Sequence, residues 1–271
     1  MNSASARAGT RRRATAQGSR RGGLTWPLLV TKPLVVGAAC LLTYLWIDGQ
    51  ELGFTERGLL NASRLRRLTL EHLDVALSAT LIVVATAIPL GIVLTRPGWR
   101  SLIVLATIGA NIAQATTAFG AMVLIFLQLI ESPGSTPGGA GRTAAILGMA
   151  AYAFLPVLRG TLTGLDQVDK QTLKAARGMG MTGWQVLRRV ELPLAVPIML
   201  AGVRTSLVLT VATTTIAALV GAGGLGVLII NGYESDRTTI IVAGFVATAG
   251  IAVLADWAGA VVERFLRPRG L

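Results

Sequence analysis

Long apolar stretches separated by short polar ones make up most of this chain, and their lengths suit a lipid bilayer. A helix needs about 20 mostly apolar residues to cross the hydrocarbon core. The first stretch runs from Leu28 to Ile47, with Lys32 and Pro33 in its opening turns. A lysine placed there can snorkel to the headgroups. The second, Val75 to Leu94, carries no charge. The third, Leu102 to Ile130, has 29 residues, enough for one kinked or tilted span but short for two spans and a turn. The fourth lies at about Thr143 to Leu158, the fifth at about Pro197 to Val220 and the sixth at about Thr239 to Val262. This pattern predicts an all-α, polytopic membrane protein with six transmembrane helices. Arg64, Arg66 and Arg67, interleaved with Leu65, Leu68 and Leu70, predict an interfacial helix ahead of the second span.

The segment 160–196 is too long for a simple connector and is helical in pattern. Asp169 can cap a helix through Gln171, Leu173, Ala175 and Ala176. Gly178 and Gly180 should bend or break it. Thr182 and Gln185 form a capping box for a second short helix that ends near Val190. Leu192-Pro193 should stop that helix, because a residue before proline avoids the α region. The small side chains of Ala175 and Ala176 would let a partner approach the backbone, with Arg177, Arg188 and Arg189 supplying charge. The pair suits either docking to a partner or resting on a membrane surface.

Composition sharpens this picture. Of 271 residues, 52% are hydrophobic and 14% charged, against about 25% charged in soluble domains. That excludes a water-soluble globule, and it excludes disorder for most of the chain. The formal net charge is +12, and it is unevenly placed. With the N-terminus inside, Lys and Arg number 17 in the inside segments and 6 in the outside ones. The positive-inside rule then puts both termini in the cytoplasm. Residues 1–27, rich in Arg, Ala, Ser and Gly, read as a disordered basic cytoplasmic tail. Ser19-Arg20-Arg21 hints at a twin-arginine signal, but the apolar run that follows is too long for a signal peptide.

Candidate chemistry is sparse. A single cysteine, Cys40, excludes an intramolecular disulfide. The single histidine, His72, lies beside Glu71 and Asp74 at a span entrance, where packing is the better reading than metal binding, so no metal site is expected. No Walker A sequence and no nucleophile–base pair is present, so no catalytic residue is assigned. Gly221, Gly223 and Gly226 satisfy G-x-G-x-x-G, but no strand precedes them, and a glycine-rich turn after the fifth span fits better. Thr210, Thr213, Thr214 and Thr215 could line a pathway or bond back to their own helix. Arg204, within the fifth span, should snorkel or face protein, and Asp256 in the sixth would neutralise it if the two met.

Lys174-Ala175-Ala176, three residues, Gly180, nine residues, then Val190-Glu191-Leu192-Pro193 resembles the EAA motif of ABC importer permeases, E-A-A-x3-G-x9-I-x-L-P. The spacing agrees throughout, with Lys174 in place of Glu and Val190 in place of Ile. Leu70-Glu71-His72-Leu73, Ile88-Pro89-Leu90-Gly91, Leu94-Thr95-Arg96-Pro97, Ala153 to Gly164 and Ala201 to Thr205 resemble the osmoprotectant branch of that family, and GAGGLG at Gly221 to Gly226 is shared more widely. The likeness spans residues 70–265. Where the family tends to have a Q-T-I-P-S-like run, this chain has Gln114-Ala115-Thr116-Thr117-Ala118, without the proline.

The resemblance implies a type I ABC importer permease fold with cytoplasmic coupling helices in the cell membrane. It assigns coupling to a partner ATPase to Lys174, Ala175, Ala176, Arg177, Gly180, Val190, Leu192 and Pro193. Candidate pathway residues are Gln114, Thr117, Arg204, Thr210, Thr213 and Thr214. Implied partners are an ABC ATP-binding subunit, a second permease subunit, an extracytoplasmic substrate-binding protein and membrane lipid, with no nucleic acid. ATP and Mg would sit on the ATPase, leaving no cofactor on this chain. The implied substrate is glycine betaine or a related quaternary amine. With 5 Trp, 3 Tyr and 6 Phe, no aromatic cage is visible, which fits selection by the binding protein. Rival expectations are an importer of methionine, phosphonate or sulfonate type, a secondary transporter, which would need an inverted repeat, and a membrane scaffold.

Overall fold

The computed structural model describes residues 26–50, 53–132 and 136–266, and all its regular elements are helical. The twin-arginine reading and all but the last two residues of the 1–27 tail lie outside the described residues; Trp26 and Pro27 open α1 instead of belonging to a tail. The helices are α1 (Trp26–Asp48), α2 (Phe54–Leu59), α3 (Ala62–Leu94), α4 (Ile103–Ala115), α5 (Ala118–Ile130), α6 (Pro137–Asp166), α7 (Lys170–Gly178), α8 (Gly183–Val186), α9 (Leu192–Ala217), α10 (Gly226–Glu234) and α11 (Thr238–Leu266). Among the described residues, five continuous helical segments are long and apolar enough to cross a bilayer, and α4 with α5 makes a sixth if that bent pair is one span. In hydrocarbon the backbone must satisfy its own polar groups, so helices are the form available to an open chain.

Three elements depart from the expected boundaries. The basic stretch at Arg64 to Arg67 is not a separate interfacial helix; α3 runs through it unbroken for 33 residues. Asn61 starts the helix by accepting the Ser63 N–H at 3.0 Å. Leu68 then packs with Leu225, Leu228 and Ile240, so these first turns rest on protein.

The third stretch bends by 89° between α4 and α5. Each half has 13 residues, about 20 Å of helix, and neither alone matches a core of about 30 Å. No proline makes the break. Thr116 is extended and returns its hydroxyl to the Ile112 carbonyl at 3.0 Å. Thr117 then caps α5 by accepting the Gly120 N–H at 3.3 Å.

Leu192-Pro193 does not stop a helix, contrary to the expected break. Helical backbone continues from Gly183 to Val220, 38 residues, through a π turn at Leu187–Glu191. Leu192 N–H reaches back five residues to the Leu187 carbonyl. Pro193 has no N–H to give, and the widened turn ahead of it lets helical backbone continue past the proline. Past α9, Gly221, Gly223 and Gly224 take positive φ and turn the chain into α10, an element the sequence pattern did not announce.

At the centre, α6 and α9 form the most extensive helix pair, and α3 packs on both. Gly160 and Gly202 make the α6–α9 approach possible: a Cβ on Gly202 would lie 2.6 Å from the Pro156 carbonyl oxygen and 3.3 Å from Gly160 Cα. Polar side chains join α3 to α9. The Thr80 and Thr210 hydroxyls are 2.8 Å apart, and buried His72 donates through Nε2 to the Val211 carbonyl at 3.0 Å. Such contacts between membrane helices contribute about 0.6 kcal/mol each. At the edge, α1 lies along α11 with its membrane-length stretch unburied. Lys32 ties it there by an ion pair to Asp256.

Gly202→Leu should therefore cost at least about 1–3 kcal/mol through overpacking, read as a clear fall in the thermal midpoint of the purified chain in detergent. Gly109→Ala, in α4 with nothing near its Cβ position, should leave the midpoint unchanged or raise it slightly.

Candidate functional site

The segment from Asp166 to Leu192 joins the two central helices and is built from strong local signals. Asp169 accepts the N–H groups of Gln171 at 3.2 Å and Thr172 at 3.0 Å, and the Thr172 hydroxyl at 3.0 Å. The backbone bonds from Gln171 and Thr172, then the Thr172 hydroxyl, hold its carboxyl below the ordinary carboxylate range. At the other end of α7, Met181 N–H reaches the Ala176 carbonyl at 3.3 Å and Gly180 N–H the Arg177 carbonyl at 3.0 Å. This is a Schellman cap, which calls for a left-handed residue. Gly180 supplies it with φ of +83° in otherwise open space, so backbone conformation, not crowding, demands the glycine. The Thr182–Gln185 capping box then starts α8, with bonds of 2.9 and 3.4 Å.

Behind the loop, Glu191 in the π turn is buried and paired with Arg96 at 2.6 Å. That pair fixes the base of the loop to the end of α3. The two residues are far apart in sequence, and no local pattern announces their meeting.

The motif residues divide between two faces. Ala176 is 2% exposed, packed inward on its own chain. This corrects the expectation of a shared small-residue face with Ala175: the helical period turns Leu173 and Ala176 inward and leaves Lys174, Ala175 and Arg177 exposed. Gly180 and Pro193 are exposed, while Val190 and Leu192 are half-buried. The outer surface carries two large apolar side chains that sequence reasoning had not singled out, Met179 at 72% and Trp184 at 66% exposure. Their signal was present as apolar residues beside loop glycines in a polar segment. Exposed Met and Trp among Lys174, Arg188 and Arg189 make a surface suited to docking a protein.

The candidate pathway residues lie in three places. Gln114 and Thr117 flank the α4–α5 bend, Gln114 half-buried and Thr117 serving as the α5 cap. Thr210, Thr213 and Thr214 are buried. Thr213 bonds back to the Leu209 carbonyl and Thr214 to the Thr210 carbonyl, both at 2.7 Å. Arg204 donates from Nε to Asp256 at 2.7 Å and sits 3.5 Å from Glu263. Of the six residues, only Arg204 lines the cavity of about 360 Å³ between α9 and α11, beside Asp256, Glu263 and Thr205. Among the described residues, no three His, Cys, Asp or Glu side chains group as metal ligands.

Comparison with known proteins places this architecture. Residues 87–268 match the family described as binding-protein-dependent transport system inner membrane component. The chain is 36% identical over 211 residues to the glycine betaine/carnitine/choline transport system permease protein OpuCB of Bacillus subtilis, covering 78% of this chain and 92% of that one. It is 33% identical over 212 residues to the osmoprotectant import permease protein OsmW of Salmonella typhimurium, covering 78% and 95%. Among solved structures, the inward-facing MetNI methionine ABC transporter superposes with a TM-score of 0.63 at 23% identity, over 75% of this chain and 96% of that one. That likeness shows the fold. The chain belongs to the family of binding-protein-dependent transport system inner membrane components.

Proposed function

We propose that this chain is the permease subunit of an ATP-driven importer for glycine betaine, choline, carnitine or a related quaternary ammonium osmoprotectant. The observation that carries the coupling role is the 160–196 loop. Its two capped helices, set at an angle by left-handed Gly180, present Met179 and Trp184 outward on a basic surface. The relatives named for glycine betaine, carnitine, choline and osmoprotectants supply the substrate class.

In this reading the loop is cytoplasmic, and a partner ATPase holding ATP and Mg receives Lys174, Ala175, Met179, Gly180 and Trp184 in a surface cleft. Arg177, Val190, Leu192 and Pro193 support the loop from its sides and base, and Ala176 anchors it inward. The Arg96–Glu191 pair and the continuous α8–α9 helix make loop and span move as one body. ATP-driven closure of two ATPases would then pull two such loops together and rock the helix groups of a permease pair about a central pathway. Gln114 and Thr117 at the bent pair are the polar groups available to that pathway; the α9 threonines are buried and Arg204 is held by Asp256 and Glu263. An extracytoplasmic binding protein delivers substrate at the opposite face. Both termini lie in the cytoplasm.

Two outcomes test this. Trp184→Glu with Met179→Glu, both at exposed positions, should abolish co-purification of an ATP-binding subunit from native membranes while leaving the chain's thermal midpoint unchanged. Undiminished recovery of the ATPase would remove the docking role. Gly180→Ala forces a Cβ into the left-handed region at a cost of about 1–2 kcal/mol, and should lower ATP-dependent uptake more than it lowers the amount of chain in the membrane.

The substrate is read from uptake of labelled glycine betaine, choline and carnitine by the reconstituted importer with its binding protein. Uptake of at least one of the three, uncompeted by methionine, is expected; transport of methionine alone would transfer the chain to another solute class.

A further inference from the structure

One face of α7, through Lys170, Leu173 and Arg177, borders a cavity that the coupling role does not use. It encloses about 260 Å³ between α7, the end of α6, the π turn and the turn after α3. Four cations line it, Arg96, Arg100, Lys170 and Arg177, against two carboxylates, Asp166 and Glu191. The charges are not evenly matched. Arg96 and buried Glu191 neutralise each other at 2.6 Å. Arg100 and Asp166 meet at 3.2 Å, but both side chains are more than 60% exposed, and such pairs contribute little and open readily. Lys170 and Arg177 have no carboxylate partner among the described residues. The cavity therefore holds an excess of two positive charges, carried by side chains on one face of α7 about two turns apart.

We propose that this cavity binds a phosphate group, with Lys170 and Arg177 as its main ligands and Arg100 released from Asp166 to join them. Guanidinium and ammonium groups converging on one space suit a phosphate, which offers several acceptor oxygens for charge-assisted bonds. The cavity lies at the charged turn just past the apolar stretch of α3, and the end of an apolar span is where a helix meets headgroups. The phosphate can thus come from an anionic phospholipid or from free inorganic phosphate. A bound phosphate would join α7 to the turn after α3, which Arg96 and Glu191 already tie at the base, and stiffen the segment that carries Met179 and Trp184. The site is argued from this chain's charges alone and does not depend on the importer reading.

Native mass spectrometry of the full chain in detergent tests it, with phosphatidylglycerol, phosphatidylcholine and inorganic phosphate titrated separately. Four chains are compared: wild type, Lys170→Gln/Arg177→Gln, Arg188→Gln/Arg189→Gln, and the charge-preserving Lys170→Arg/Arg177→Lys. Loss of two cations near a membrane surface should weaken the first bound phosphatidylglycerol or phosphate by about 30-fold. The Arg188/Arg189 variant, which removes the same charge from outside the cavity, and the charge-preserving variant should both bind like wild type.

Preference for phosphatidylglycerol over inorganic phosphate identifies a headgroup site, and the reverse a free-anion site; either supports the proposal. Equal weakening in both neutralised variants, binding of phosphatidylcholine as tight as phosphatidylglycerol, or no binding by wild type overturns it. Both cavity side chains are exposed, so an unchanged thermal midpoint should accompany the loss of binding.

Discussion

The close approach of α6 and α9 at Gly160 and Gly202 is the constraint on which the rest of the chain depends. These two helices are the ends of the loop that carries the motif, so their separation sets the loop's span. With backbone facing backbone, the Pro156 carbonyl and Gly160 Cα leave no room for a side chain at Gly202. Small residues serve this purpose in membranes because lipid gives no hydrophobic drive for association, and dispersion contacts must supply it. Once α6 and α9 are fixed, α3 can pack on both, and its end delivers Arg96 to Glu191 beneath the loop. A tied base and an exposed surface then belong to one connected body.

The loop itself shows how little tertiary information a good local signal needs. The Asp169 cap, the Thr182–Gln185 box and the Gly180 bend all lay open in the sequence, because each is set by bonds within a few residues. What failed to be legible depended on distant partners. Pro193 looked like a terminator, yet a π turn absorbs its missing donor and the span continues. Ala175 and Ala176 looked equivalent, yet packing against the rest of the chain buries one of them. The cavity lined by Arg96, Arg100, Lys170 and Arg177 draws on three separated segments, and no spacing rule reports that they converge.

The spans were legible as apolar stretches, but their ends were not. Hydropathy marks where lipid contact begins, whereas a helix continues until a cap or a turn stops it. So α3 extends back to Asn61, and α6 runs from its Thr136 cap to Asp166, well past the apolar stretch at each end. The α4–α5 bend is the converse case. No proline interrupts it, yet Thr116 returns its hydroxyl to the Ile112 carbonyl and Thr117 gives the Gly120 N–H an acceptor. Hydroxyls that bond locally can do in a membrane what proline does by subtraction.

Charge follows the same logic of local satisfaction. Within the spanning helices, Arg204 meets Asp256 and Glu263, and Lys32 meets Asp256, so two cations and two carboxylates form one neutral group across α1, α9 and α11. A lone arginine at that position would carry a cost of several kcal/mol; shared among three helices it becomes a fastener. For α1, whose apolar surface is otherwise outward, that fastener joins the α11 contact in holding the helix to the bundle. Because that group sums to zero, the net +12 is carried by the rest of the chain. The loop between α6 and α9 gathers several of these cations at one end of the bundle, where Lys170, Lys174, Arg177, Arg188 and Arg189 are exposed.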